Sequence, residues 1–267
     1  MQYPDDMAAP TLGQDQSGMT YGSGRPPHGA VPTAPGAAPL ATVTGMLTLL
    51  HTSPLHVPAF DALRDEEAPG LALHHVVRPE LLDRARAQGP GSVAEDVAAE
   101  LGEAARDGAR AALCTCSTIG SVAEAAGAVL GLPVLRVDRP MAAAAVATGP
   151  RIAVLVAVES TRVPTEELLA QEADRAGREV EVRTVLVPGA WERFEAGDRD
   201  GYLAAVAAAA REIRDADVIV LAQASMAPAA DGLDLDVPVL AGPRTGLRAA
   251  AQSAAASDPS FSGLRTT

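Results

Sequence analysis

The chain has 267 residues and a formal net charge of −13, and 48% of its residues are hydrophobic. It is long enough for one large or two small globular domains, and its acidic balance excludes nucleic acid and anionic membranes as main partners. All 21 basic residues are arginine. Without lysine, the chain has neither a Schiff-base amine for pyridoxal phosphate nor a P-loop lysine.

Both ends of the sequence are predicted to be disordered tails. Residues 1–43 are rich in Pro, Gly and Ala and residues 257–267 are similar, so neither end can bury enough apolar surface to fold. The first 24 residues contain Asp5 and Asp6 but no basic residue, and every apolar run is too short to cross a bilayer. We therefore expect a cytoplasmic protein that makes no membrane contact. The sequence is compatible with a homo-oligomer.

Between these ends, short apolar strands alternate with alanine-rich helices, as in parallel sheets that helices cover on both faces. We predict a first α/β domain over residues 44–149. Its predicted elements are strand Met46–His51, helix Val57–Arg64, strand Leu71–Val77, helix Val93–Arg106, strand Ala111–Thr115, helix Ser121–Leu130 and strand Pro133–Val137. Ser121 and Glu124 have the spacing of a capping box, which favours a helix start at this point.

A second α/β domain is predicted over residues 150–256, with a last helix that could pack back on the first domain. Its predicted elements are strand Ile152–Val158, helix Pro164–Ala176, strand Val180–Val187, helix Arg199–Arg214, strand Val218–Leu221 and strand Val237–Leu240. This order repeats that of the first half, which indicates an internal duplication. We therefore predict an α/β fold of two pseudo-symmetric, doubly wound parallel-sheet domains with the active-site cleft between them.

The segment 111–120 carries the most informative residues of the chain. An apolar strand leads directly into Cys116, and open α/β sheets bind ligands at the carboxyl ends of their strands. A thiol just before a helix can act as a proton carrier or a nucleophile, whereas a thiol within a strand behaves as a small hydrophobe. We assign the first role to Cys116 and the second to Cys114. Both thiols are expected to be free, and no paired histidines stand at the spacing of a metal site.

Hydroxyl and amide groups at four strand ends complete the predicted site. At loop-to-helix junctions such groups suit a carboxylate, because unpaired backbone amides and the helix dipole favour negative charge there. We predict a small carboxylic-acid or amino-acid substrate. The predicted substrate-binding residues are Thr52, Ser53, Ser117, Thr118, Ser160, Thr161, Gln223, Ala224 and Ser225. The arginines that could bind a side-chain carboxylate, or form ion pairs, are Arg136, Arg139, Arg162 and Arg244.

The folded body resembles the aspartate/glutamate/hydantoin racemase family. The Cys-Ser-Thr of residues 116–118 is similar to the Cys-Asn-Thr of the family's first motif, and the Leu-Ala-Gln-Ala-Ser-Met of residues 221–226 is similar to its second, Leu-Gly-Cys-Ala-Gly-Met. Ser160 and Thr161 match the family's threonine-rich loop, while Ala157 stands where a threonine is usual. The resemblance implies two α/β domains with an active cysteine on each, working without cofactor or metal.

A racemase of this kind removes the α-proton with one thiolate and protonates the opposite face with the other thiol. Gln223 stands where the second cysteine is expected, and an amide cannot exchange a proton at any accessible pH. His51, at the end of the first strand, is a candidate for the missing acid, although packed histidines are commoner at such positions. Glu159, beside the cleft, could be an acid or a solvated charge.

Three functions remain open on the sequence. The first is a racemase or isomerase that acts at the α-carbon with Cys116 as acid/base. The second is a one-cysteine decarboxylase, which needs only one proton donor because the loss of carbon dioxide creates its own carbanion. The third is a non-catalytic protein that binds small acids, in which Gln223 hydrogen-bonds the ligand and Cys116 only packs.

Overall fold

Parallel strands alternate with helices along the computed structural model, which describes residues 45–257. The predicted tails, residues 1–43 and 257–267, lie outside the described residues apart from Ser257. The first half contains β1 (Met46–His51), α1 (His56–Glu67), β2 (Ala72–Val77), α2 (Pro79–Gln88), α3 (Ala94–Arg106), β3 (Ala109–Cys114), α4 (Gly120–Leu130) and β4 (Val134–Arg136). The remaining elements are α5 (Arg139–Thr148), β5 (Arg151–Val156), α6 (Arg162–Ala176), β6 (Glu181–Leu186), α7 (Ala190–Glu195), α8 (Arg199–Glu212), β7 (Val218–Leu221), β8 (Val239–Ala241) and α9 (Gly242–Ala256).

The described strands form two four-stranded sheets, with the order β2-β1-β3-β4 in the first and β6-β5-β7-β8 in the second. All of their pairings are parallel. The shared order confirms the predicted fold of two similar parallel sheets with flanking helices. All described residues lie in one compact unit, and the domain boundary between residues 149 and 150 stays a prediction.

Alternation along the central strands buries both faces of each sheet. In β3, Ala111 and Leu113 pack on one face with side chains of β1 and α9. Ala112 and Cys114 point to the other face, where α3 and α4 cover them. This period of two places the Cys114 thiol in the core with no exposed surface.

The last helix returns to the first sheet. Four side chains of α9 join the core cluster of β1 and β3: Leu247, Ala250, Ala251 and Ala254. The backbone of α9 comes close to the segment after β4, because a side chain at Gly246 would collide with the carbonyl of Val137. The C-terminal helix of the second half therefore joins the two halves.

Two helices and one cap differ from the sequence predictions. The short helices α2 and α7 were not predicted, because α2 buries only Leu81 and Ala85 and α7 has six residues, too few for a clear helical period. The predicted capping box is wrong. The helix α4 begins at Gly120 without a side-chain cap, and the carboxylate of Glu124 instead accepts hydrogen bonds from Arg139.

The close approach of α9 can be tested by adding one methyl group. We expect Gly246→Ala to lower the free energy of unfolding by about 1–3 kcal/mol, because overpacking against Val137 outweighs the better helix propensity of alanine. The matched control is Gly102→Ala in α3, where the new methyl group would meet only ordinary contacts at 3.6 and 3.8 Å. This control should stabilise the protein by up to about 1 kcal/mol in urea unfolding. Equal effects of the two substitutions would contradict the packing described here.

Candidate active site

A cavity of about 300 Å³ opens between the carboxyl ends of the two sheets. Loops that follow β1, β3, β5 and β7 all contribute to its wall. Of the predicted site residues, those that line the cavity are Thr52, Ser53, Cys116, Ser117, Thr118, Thr161, Gln223, Ala224 and Ser225. Ser160 does not line it, and its hydroxyl oxygen lies 3.5 Å from that of Thr118. Cys116 and Gln223 therefore look into one shared cavity.

The two cysteines occupy different environments although only Thr115 separates them. Cys116 has extended backbone and immediately precedes a 3₁₀ turn, Ser117–Ile119, that runs into α4. It is 8% exposed, at the wall of the cavity. Cys114 lies in the core, where burial raises the pKa of its thiol, and it donates a hydrogen bond to the Cys116 carbonyl at 3.6 Å. Both thiols are free, as predicted, and only Cys116 can reach a ligand.

Hydrogen bonds across the cleft fix the loop that carries Cys116. The Ser117 hydroxyl donates to the carbonyl of Ala222, at the end of β7, at 2.7 Å. The Arg136 guanidinium donates to the carbonyl of Ser117 at 3.3 Å and to that of Pro164, in α6, at 3.2 Å. Since its hydroxyl hydrogen is committed to the other half, Ser117 holds the cleft together and offers a ligand only its oxygen lone pairs.

Gln223 is held in one orientation by the backbone of the second sheet. Its Oε1 accepts a hydrogen bond from the Ala157 amide at 2.5 Å. The side-chain NH₂ group is then the part of Gln223 that remains for a ligand in the cavity. This group can donate hydrogen bonds to a carboxylate but carries no titratable proton.

His51 does not line the cavity, so it cannot serve as the missing acid that the sequence suggested. Its side chain is fully buried in a hydrogen-bonded chain, with Nδ1 2.8 Å from Thr115 Oγ1 and Nε2 2.9 Å from His75 Nδ1. His75 Nε2 lies 3.3 Å from an Asp61 carboxylate oxygen. Burial, followed by repulsion from His56 and His75, lowers the pKa of His51 from 6.5 to about 3.

The cavity wall also contains residues that were not predicted from the sequence: Pro54, Leu55, His56, Pro79, Leu82, Asp83, Thr115, Val158, Trp191, Phe194 and Glu195. His56 begins α1, and burial lowers its pKa to about 4, so it is uncharged at neutral pH. Trp191 and Phe194 come from α7 and stack with ring centroids 5.2 Å apart. A histidine five residues after the end of a predicted strand was the available signal for His56, whereas α7 gave no signal.

The four candidate arginines are all engaged in ion pairs. Arg136 pairs with Asp138 in the core, Arg139 with Glu124 and Glu172, Arg162 with Glu159, and Arg244 with Glu66 and Glu67. The partnership with Arg162 lowers the pKa of the exposed Glu159 carboxyl, which is therefore a solvated charge rather than an acid. None of these four arginines lines the cavity.

Residues 52–250 match the family model for Asp/Glu/hydantoin racemase. The chain belongs to this family. No curated protein sequence matches the chain. Within residues 45–257, no helix is long and apolar enough to cross a membrane, and no group of three or more His, Cys, Asp or Glu side chains could hold a metal ion.

Solved structures of the racemase family share the fold. Glutamate racemase from Francisella tularensis, in complex with D-glutamate, is similar with a TM-score of 0.60 and 12% identity, over 77% of this chain and 79% of that one. Allantoin racemase from Klebsiella pneumoniae is similar with a TM-score of 0.55 and 19% identity, over 84% of this chain and 91% of that one. A mutant of arylmalonate decarboxylase in its liganded form is similar with a TM-score of 0.52 and 17% identity, over 79% of this chain and 93% of that one.

The buried histidines should make stability depend on pH. Both His51 and His56 have folded-state pKa values below their ordinary 6.5, so the unfolded chain binds more protons as the pH falls below 6.5. Their contribution is fully present above pH 6.5 and is lost as the pH falls toward 4. We expect the free energy of unfolding to drop by about 1 kcal/mol per histidine between pH 7.5 and pH 5.5 in urea titrations. His51→Asn should remove about half of this drop, and an unchanged drop would contradict the burial of a neutral His51.

Proposed function

We propose that this family member is a cofactor-independent enzyme of the racemase and isomerase type that acts at the α-carbon of a small amino acid or carboxylic acid. Cys116 is its acid/base: the thiolate takes the α-proton, and the thiol returns a proton to the carbanion. The observation that carries the proposal is that Cys116 borders the same cavity as the hydrogen-bond donors around it. Membership of the racemase family supports it.

The donors suit a carboxylate whose α-carbon faces Cys116. The Gln223 NH₂ group and the hydroxyls of Thr52, Ser53 and Thr118 surround the cavity. They would stabilise the negative charge that moves onto the carboxylate oxygens when the α-proton leaves. Because the charge grows during proton removal, these donors bind the transition state more strongly than the substrate.

Of the two corresponding strand-end positions in the cavity, only one carries a side chain that can exchange a proton. Cys116 comes from the first half, and the corresponding residue of the second half, Gln223, can donate hydrogen bonds but cannot exchange a proton. Proton exchange with solvent at the α-carbon needs only Cys116. Inversion also needs a proton from the opposite face, which water or another titratable side chain of the cavity wall (His56, Asp83 or Glu195) would have to supply.

A decarboxylase is the second candidate, and the amide at Gln223 is the observation that favours it. In that reaction the bond between the α-carbon and a carboxyl carbon breaks, its electron pair stays on the α-carbon and carbon dioxide leaves. The Cys116 thiol then protonates the carbanion, and the thiolate regains its proton from water. A single carrier is sufficient for this reaction.

The proposal is tested by incubating the protein with small amino acids, dicarboxylic acids and malonates in heavy water. We expect deuterium at the α-carbon, and at least about a 100-fold slower incorporation with Cys116→Ser, because a serine hydroxyl is a poor acid/base near neutral pH. Cys114→Ser is the matched control. It should lose stability but retain its rate per folded molecule, because Cys114 lies in the core.

The products of the same experiment separate the candidates. Labelled substrate without loss of carbon dioxide supports the isomerase-type enzyme, and release of carbon dioxide with a labelled product supports the decarboxylase. Saturable binding without label or carbon dioxide would leave the non-catalytic binder and overturn the proposal. Unchanged rates in Cys116→Ser would overturn the role of Cys116.

A second variant asks whether the missing carrier limits inversion. Gln223→Cys places a thiol in the cavity wall opposite the first, so we expect racemisation of a single enantiomer to accelerate by about 10-fold or more. Gln223→Ala is the control, because it removes the amide without adding a carrier. Chiral chromatography measures both. If Gln223→Cys does not exceed Gln223→Ala, the two positions do not flank the α-carbon.

A further inference from the structure

A second cavity of about 610 Å³ adjoins the first and is about twice its size. It lies among α1, α8, α9, β8 and the 3₁₀ turn Ala224–Gly232. Five residues line both cavities, and we call them the collar: Leu55, His56, Phe194, Ala224 and Ser225. A molecule bound beside Cys116 can therefore extend through the collar into the second cavity.

The wall of the second cavity is mainly apolar. Among its side chains are Ala59, Phe60, Leu63, Pro228 and Leu240. Two exposed charged side chains, Arg199 and Asp231, also line it, and its other polar side chains include several that are paired with one another or with neighbours. The Tyr202 hydroxyl lies 2.7 Å from that of Ser225, Arg244 is neutralised by Glu66 and Glu67, and the Thr245 hydroxyl donates to the carbonyl of Gly242. The apolar part of this wall favours an apolar occupant, because the hydroxyl groups beside it already have hydrogen-bond partners.

The collar itself does not oppose the passage of an apolar group. Leu55 and Phe194 are hydrophobic, and Phe194 also packs against the ring of Tyr202 with centroids 5.4 Å apart. Burial keeps His56 uncharged at neutral pH. By contrast, the first cavity holds the Gln223 amide and most of the free hydroxyl groups. Polar and apolar recognition are thus separated along one continuous path.

We propose that the substrate is an amphiphilic carboxylic acid, whose carboxylate and α-carbon lie beside Cys116 and whose alkyl, aryl or acyl substituent passes through the collar into the second cavity. This inference rests on the proposed function and names its substrate class. Free aspartate or glutamate would leave the larger cavity unfilled, and its apolar wall would then gain nothing from binding.

Binding of a series of straight-chain carboxylates, from butanoate to decanoate, tests the inference by titration calorimetry. Each methylene that enters the second cavity should tighten binding about fourfold, the factor that corresponds to about 0.8 kcal/mol per buried CH₂ group. Octanoate should therefore bind about 100-fold more tightly than butanoate or better. An affinity that does not rise with chain length would overturn the inference.

Two exposed alanines of α1 provide a matched pair of variants. Ala59 lines the second cavity and Ala62, three residues later, does not. Ala59→Phe should fill the cavity and reduce the gain in affinity from butanoate to octanoate at least 10-fold. Ala62→Phe should keep the gain in affinity of the unmodified protein. Ala227→Phe, on the opposite wall, should repeat the effect of Ala59→Phe. If neither cavity-filling variant reduces the gain, the chain does not enter the second cavity.

Competition separates one continuous site from two independent ones. Octanoate should displace butanoate, since both place a carboxylate in the first cavity, and n-hexanol should compete with octanoate for the second. Simultaneous binding of octanoate and hexanol would overturn the inference. These binding measurements need no turnover. If affinity rises with chain length but no deuterium is exchanged, the proposed function is wrong and the substrate class stands. If short acids exchange deuterium but affinity does not rise with chain length, the substrate class is wrong and the proposed function stands.

Discussion

The buried guanidinium of Arg136 is the contact on which the geometry of the cleft depends. It is 1% exposed and forms a two-pronged ion pair with Asp138, with Nε 2.6 Å from Oδ1 and Nη2 2.9 Å from Oδ2. The same Nη2 also lies within hydrogen-bond distance of the carbonyl of Ser117, next to Cys116, and of that of Pro164 in the second half. Losing one partner of such a buried pair typically costs about 3–5 kcal/mol. The position of the active thiol is therefore tied to the packing of the two halves.

The Arg136 guanidinium also explains why a glycine stands at position 120, at the start of α4. A side chain at Gly120 would come within 2.9 Å of Arg136 Cβ and Nε, so α4 can begin beside the arginine only without a Cβ. The start of α4 then continues directly from the turn after Cys116. The order Cys-Ser-Thr-Ile-Gly thus combines a thiol, a hydroxyl that bonds the opposite sheet and a glycine that admits the arginine.

Sequence patterns predicted the features that depend on local apolar runs. The bounds of β1 and β7 agree with the prediction because each is a short, continuous hydrophobic segment, and the repeated order of elements predicted two similar sheets. Side-chain direction needed the tertiary structure: Thr52 lines the cavity, while His51, one residue earlier, points into the core. Trp191 and Phe194 also escaped prediction, because they lie on the six-residue α7, whose position depends on packing against α8.

The two halves share a fold but contribute different chemical groups to the site. In the first half Cys116 can move a proton, whereas in the second half the Ala157 amide fixes Gln223 as a hydrogen-bond donor. In the proposed reaction, a donor at this position would bind the carboxylate but could not restore a proton to the α-carbon. Cys116 is 8% exposed at the cavity wall, so in the proposed reaction it could regain its proton from water. The difference between Cys116 and Gln223 therefore affects which reactions the site could support, while the two sheets that carry these residues keep the same order of strands.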